Sequence, residues 1–383
     1  MMPTVTTGGE SGKQLVAFRA DASVKIGTGH VMRCLTLADE LRRSGYTCVF
    51  ICRLADGELT SEIVRRGHRV TTLPCISSTS KTPDLSRSDS WLGTTFQRDA
   101  QETISALVDL EIPPEWLVVD HYGIDAHWES EVAPFVGQIL VIDDLANRPH
   151  SCSVLLDQNL YQQMNQRYEH LVDPGCIALL GPQYALLRSE FQQARSFLRP
   201  RTGEVERLFV FFGGIDRDNM TSLALRAISR LSDLNLSGDV VVGSGNPHLT
   251  EVERLTQSLG NFHLHVQSGD IARLMSSADL SIGAGGTTTW ERAYLGLPSI
   301  SVVVAENQRE MTDAAARAGV CISLGWFEQV SETSIAEAIR SAVASPQVMR
   351  KMSRQELAIS APEHQTGTSL VARVLMQRSK VAV

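Results

Sequence analysis

Four short stretches of this 383-residue chain gather side chains that move protons, hold hydroxyls and meet anions. In the first, Arg19-Ala20-Asp21 leads through Ile26-Gly27-Thr28-Gly29 to His30. The two glycines let the backbone turn sharply and approach a ligand closely, and a neutral imidazole at the head of a helix can take a proton from water. A tight turn whose histidine only satisfies local backbone groups is the plainer alternative. The second stretch is Asp120-His121-Tyr122, followed after one more apolar run by Asp143-Asp144. A carboxylate there can orient an imidazole or a sugar hydroxyl, and a tyrosine can donate to a substrate oxygen. Turn chemistry competes, and for Asp143 and Asp144 it is the stronger account.

The third stretch, Gly283 through Gly285, Gly286, Thr287 and Thr288 to Glu291, sets small residues and hydroxyls at a helix start. Exposed backbone N–H groups there suit a diphosphate. Glu291 can accept from the two hydroxyls of a ribose, unless Thr288-x-x-Glu291 is only a capping box. The fourth joins Gly213-Gly214, with Asp216, Asp218 and Asn219 behind them, to Glu306-Asn307-Gln308. These offer close backbone approach and paired donor and acceptor groups to hydroxyls or acetamido groups.

Each stretch follows a β-rich run and precedes helical periodicity, the alternation that builds parallel sheets covered by helices. Strands are expected near 15–19, 47–51, 69–73, 116–120, 138–142 and 153–156, and again at 207–212, 239–243, 262–266, 279–283 and 299–304. Val31, Cys34, Leu35, Ala38 and Leu41 mark the first helix, which Gly45 stops. The fold class is therefore α/β, with two Rossmann-like open sheets. The charged, Pro- and Gly-bearing segment 197–206 is the expected linker. It places one domain over 14–200, a second over 205–345 and a helical tail over 346–383 that packs back on the first. The Ser/Thr-rich stretch 75–95 reads as a mobile surface loop.

Composition narrows the partners. Apolar residues at 43% and charged residues at 20% specify a folded chain. The formal charge of −8 argues against broad binding to nucleic acid or to anionic lipid. No apolar run approaches the roughly 18 residues that cross a bilayer, and the first fourteen residues lack a secretory h-region. A cytoplasmic protein with reduced, mainly buried cysteines is expected, since its seven cysteines are scattered. His263-x-His265 lacks a third ligand at zinc spacing, so no metal is expected.

The segments RADASVKIGTGHVMRCLTLA, VVDHYGID, IDDLANRPH, LLDQN, GPQYALLRSEF, FFGGIDRDN, GAGGTTTWERAYLGLP and ENQ together resemble the UDP-sugar hydrolase family of the pseudaminic acid pathway. The resemblance runs from about Leu15 to Leu324. The family's C-terminal Asp-Gly-rich element is poorly matched by Glu363 to Gly367. The resemblance implies a GT-B fold, two Rossmann-like domains facing a cleft, similar to the cell-wall glycosyltransferase that adds N-acetylglucosamine to lipid I. It implies hydrolysis of UDP-2,4-diacetamido-2,4,6-trideoxy-β-L-altropyranose with inversion, with no cofactor expected and the UDP-sugar as the small-molecule partner.

By the same resemblance the catalytic histidine falls on His30, the active-site tyrosine on Tyr122, the sugar-contacting pair on Asn307 and Gln308, and the ribose-binding glutamate on Glu291. Asp21, Gly27 and Gly29 complete the expected substrate site, and Gly213, Gly214, Gly285, Gly286, Thr287 and Thr288 the expected nucleotide site. A glycosyltransferase of the same fold, a UDP-sugar 2-epimerase and a non-catalytic nucleotide-sugar binder are the competing functions.

Overall fold

The computed structural model describes residues 14–23, 26–74 and 89–379. The N-terminal leader and residues 75–88 of the expected surface loop lie outside the described residues, while Asp89–Leu92 form a single helical turn. Two compact units emerge: Met1–Asp157 with Tyr168–Leu179 and Val371–Val383, and Gln158–Arg167 with Leu180–Leu370.

The first unit holds strands β1 (Leu15–Ala20), β2 (Thr47–Arg53), β3 (Arg69–Leu73), β4 (Trp116–Asp120), β5 (Gln138–Ile142), β6 (Val154–Asp157) and β7 (Ile177–Leu180), ordered β3-β2-β1-β4-β5-β6-β7. All six residues of β1 are buried, as a strand covered on both faces requires. The helices are α1 (Gly29–Arg43), α2 (Thr60–Arg65), α3 (Asp89–Leu92), α4 (Phe96–Val108) and α5 (Ala126–Val132). In α1, Val31, Cys34, Leu35, Ala38 and Leu41 are all buried, and the chain turns away through Gly45 at φ 95°.

The second unit repeats the plan with β8 (Arg207–Phe211), β9 (Ser237–Val242), β10 (Phe262–Val266), β11 (Leu280–Ala284), β12 (Ser299–Val303) and β13 (Ile322–Trp326), ordered β10-β9-β8-β11-β12-β13. Its helices are α6 (Ser189–Ser196), α7 (Met220–Ser229), α8 (Leu249–Ser258), α9 (Ile271–Ser277), α10 (Thr288–Tyr294), α11 (Arg309–Arg317), α12 (Glu332–Val343) and α13 (Pro346–Ile359), with α14 (Gly367–Ser379) beginning in this unit and ending in the first. Leu208 and Val210 pack on one face of the sheet, and Phe209 with Trp290 and Tyr294 on the other. Strands β7 and β13 were not anticipated: β7 is only four residues long, and β13, though alternating, is interrupted by Gly325.

The expected linker does not separate the units. Residues 197–206 lie inside the second unit, where the Arg201 guanidinium donates to the Ala278 and Met275 carbonyls and Val205 joins the core. An added Cβ on Gly203 would collide with the Pro346 carbonyl, which explains that glycine. The chain instead crosses between units at 157/158, 167/168, 179/180 and 370/371, so residues 180–200 and 346–370 belong to the second unit and not to the first domain or a separate tail. The last helical turns do return to the first unit, where Trp116 Nε1 donates to Ser379 Oγ at 3.0 Å.

Candidate active site

Both sheets reverse their strand order at one place, between β1 and β4 in the first unit and between β8 and β11 in the second. Ligand sites of open parallel sheets form outside the carboxyl ends of strands at such switch points. In the first unit the β1–α1 turn delivers His30, and the end of β4, paired Ala20 to Asp120, delivers Asp120 beside it. Gly27 stands at φ 85°, a conformation few side chains tolerate. Gly29 is exposed, and a Cβ built on it would meet nothing within 4 Å. Among the described residues, nothing in the fold requires glycine at that position.

His30 Nδ1 lies 2.6 Å from Asp120 Oδ1. With the carboxylate accepting, Nδ1 carries the proton and Nε2 keeps its lone pair. Arg33, one turn along α1, donates to both Asp120 oxygens at 2.6 Å and reaches Asp144 Oδ2 at 3.2 Å. Asp120 is fully buried. Burial pushes its carboxyl up, but Arg33 and His30 outweigh that and hold it well below the usual range. Tyr122 meets the His30 ring edge-on, with centroids 4.6 Å apart. Burial, together with the facing Asp144 carboxylate, raises its phenol, which therefore stays protonated as a donor.

Asp21 serves differently from its expected place against substrate. Its carboxylate accepts from Arg19 and, at 2.7 Å, from the Arg53 amide, and His121 Nε2 lies 3.4 Å away. Below it, Asp99 accepts from Arg19, Arg53 and Trp128 Nε1. This buried lattice props the β1–α1 turn. Arg33 and Asp99 escape a reading by motif, since they lie 87 and 80 residues from the partners they meet. A basic residue at i+3 from a helix-start histidine was the available signal for Arg33.

The lattice has a pH signature. Burial pushes the Asp21 and Asp99 carboxyls up, and the adjoining guanidiniums more than reverse this. Carboxyls depressed in the folded state stabilise it fully above their unfolded value of about 3.9 and lose that contribution as pH falls through the folded value. Urea unfolding followed by tryptophan fluorescence is therefore expected to show stability falling below about pH 4, with a shallower fall in Asp99→Asn. An identical slope in that variant would exclude the lattice as its cause.

In the second unit the loops after β8 and β11 are neighbours at the switch point. Gly213 takes φ 98°, and exposed Gly214 accepts from the Gly243 amide at 2.9 Å. Asp216 caps α7 through the Met220 and Thr221 amides, and so does not wait for ligand. Glycines 283 and 285 answer to packing, since a Cβ would sit 2.2 Å from the Phe211 carbonyl or from Thr312 Oγ1. Gly286 faces the Gln308 amide nitrogen, while Gln308 Oε1 accepts from Val304. Asn307 and Thr287 are exposed and Thr288 is half-buried.

No side chain caps α10, so the capping-box alternative is not formed. Glu291 instead lies 3.5 Å from Arg188, a residue of the GPQYALLRSEF segment whose pairing no local spacing signals. Burial raises the Glu291 carboxyl against the opposing pull of Arg188. His265 of the excluded zinc pair bonds Asp239 Oδ1 at 2.8 Å.

Residues 207–366 match the glycosyltransferase family 28 C-terminal domain. The chain is 27% identical over 307 residues to the UDP-2,4-diacetamido-2,4,6-trideoxy-β-L-altropyranose hydrolase of Campylobacter jejuni, covering 79% of this chain and 97% of that protein. Among solved structures, MurG of Acinetobacter baumannii superposes with TM-score 0.63 at 11% identity, covering 95% of this chain and 99% of the other. A UDP-glucosyltransferase from Polygonum tinctorium gives 0.64 at 13%, covering 97% and 99%. No described helix is long and apolar enough to cross a membrane. The chain thus has the GT-B fold, and most of its second unit matches the glycosyltransferase family 28 C-terminal domain.

Proposed function

We propose that the chain hydrolyses the anomeric C–O bond of UDP-2,4-diacetamido-2,4,6-trideoxy-β-L-altropyranose with inversion, releasing UDP and the free diacetamido sugar. The observation that carries this reading is the Asp120–His30 contact at 2.6 Å, which leaves Nε2 as a base for water. The similarity to the Campylobacter jejuni hydrolase supports the choice of substrate.

UDP is a competent leaving group, so the reaction needs its departing charge stabilised more than it needs a strong acid. The β8 and β11 loops of the second unit supply backbone N–H groups at Gly214 and Gly286, and Glu291 the ribose contact. Tyr122 donates to water or sugar, Asn307 and Gln308 read the acetamido groups, and Asp21 positions the turn from below. Water attacks carbon 1 opposite the diphosphate, His30 takes its proton, and the C–O bonding pair leaves with UDP.

The family 28 domain favours a second reading, sugar transfer to an acceptor. Following the reaction by proton NMR without acceptor separates the two. Hydrolysis predicts stoichiometric UDP and free sugar, with the α anomer formed first. Transfer predicts an intact UDP-sugar.

Gly29→Ala tests the ligand space directly. The new methyl meets no atom of the described residues within 4 Å, so the fold is expected to keep its stability. KM for the UDP-sugar is expected to rise about tenfold, the effect of one methyl crowding a filled site. Unchanged KM would remove the β1–α1 turn from the substrate site.

A further inference from the structure

We propose that Cys152 and Cys176 form a redox modification site, a dithiol that a peroxide converts to an intramolecular disulfide and a thiol reverses. The two sulfurs lie 3.7 Å apart, in van der Waals contact. They precede β6 and β7, which are neighbours in the first sheet, and the Ile177 amide donates to the Ser153 carbonyl at 3.1 Å. Adjacent strands run about 4.8 Å apart, within the Cα separation that a disulfide spans. Side-chain rotation is then enough to close the bond.

Both residues are half-buried, unlike the other described cysteines, Cys34, Cys48, Cys52 and Cys321, which are buried. Burial pushes the Cys48 thiol up to about 12 and the Cys321 thiol up to about 11, which keeps them unreactive. At the pair the sign reverses for one member. A hydrogen bond from Cys152 lowers Cys176 despite burial, and Arg378, whose guanidinium donates to the Ser153 carbonyl at 3.2 Å, adds to the effect. Cys176 is the attacking sulfur and Cys152 the resolving one.

The Cys176 thiol attacks hydrogen peroxide, breaking the O–O bond and giving a sulfenic acid and one water. Cys152 then attacks the sulfenic sulfur, forming S–S and releasing a second water. Two electrons pass from the two sulfurs to the peroxide. The bond closes a loop holding residues 158–167, which the chain lends to the second unit, so oxidation staples the first unit on both sides of that excursion. The site is independent of the proposed hydrolysis.

The test treats full-length protein with hydrogen peroxide, cleaves between the cysteines at Arg167, and maps linked peptides with and without dithiothreitol. The expected result is a linked pair carrying Cys152 and Cys176, loss of two thiols per chain, a raised Tm, and full reversal by dithiothreitol. In Cys152→Ser and Cys152→Ala, dimedone is expected to label Cys176 and the Tm to stay put. Both cysteines still alkylatable after peroxide, or thiol loss that Cys75→Ser abolishes, would overturn the proposal.

Discussion

Replacing His30 by glutamine is expected to lower kcat by about 10²–10⁴-fold, the usual contribution of a positioned general base. The ring contributes little packing that glutamine cannot replace, so the loss should fall on kcat with KM for the UDP-sugar nearly unchanged. His30→Ala should lose at least as much, because it removes the basic nitrogen together with the ring's contacts to Asp120 and Tyr122. The measurement is initial-rate kinetics by UDP release, with urea unfolding as a control for folding. Near-normal turnover in both variants would remove His30 from the chemistry.

Asp120→Asn is expected to reduce kcat by about 10³–10⁴-fold and to destabilise the first unit as well. An asparagine amide can donate to Nδ1, which moves the ring proton to Nε2 and leaves the water-facing nitrogen without a lone pair. The Arg33 guanidinium, 8% exposed, then loses its principal counter-charge. Breaking a buried pair by removing one partner costs about 3–5 kcal/mol, and the remaining contact to Asp144 places this case near 3. Arg33→Lys separates the two effects, since it keeps the charge and the tautomer while losing the paired donors. It should lower stability with a much smaller loss of kcat. Equal losses of kcat in both variants would mean that Asp120 acts only through the fold.

Much of this site could be read without coordinates because parallel sheets place chemistry at predictable points. Runs such as WLVVD and RLFVFF end at the switch points of their sheets, which places Asp120 and Tyr122 after β4 and Gly213 and Gly214 after β8. What escaped reading depends on long-range contacts. Arg33 meets Asp120 only because α1 lies back over β4, and Asp99 meets Arg19 only because α4 covers the opposite face of the sheet. The 197–206 segment breaks periodicity yet is packed through Arg201 and Val205, so a change of composition there does not mean few contacts. At Gly285 the missing side chain makes room for Thr312, a long-range contact that local spacing does not signal.

The most direct measurement is turnover of the UDP-diacetamido sugar in ¹⁸O-labelled water with no acceptor present, followed by mass spectrometry of both products. The account predicts label in the free sugar and none in UDP, with the signal lost in His30→Gln. Label appearing in UDP, or free sugar formed at the same rate by His30→Gln, would contradict it.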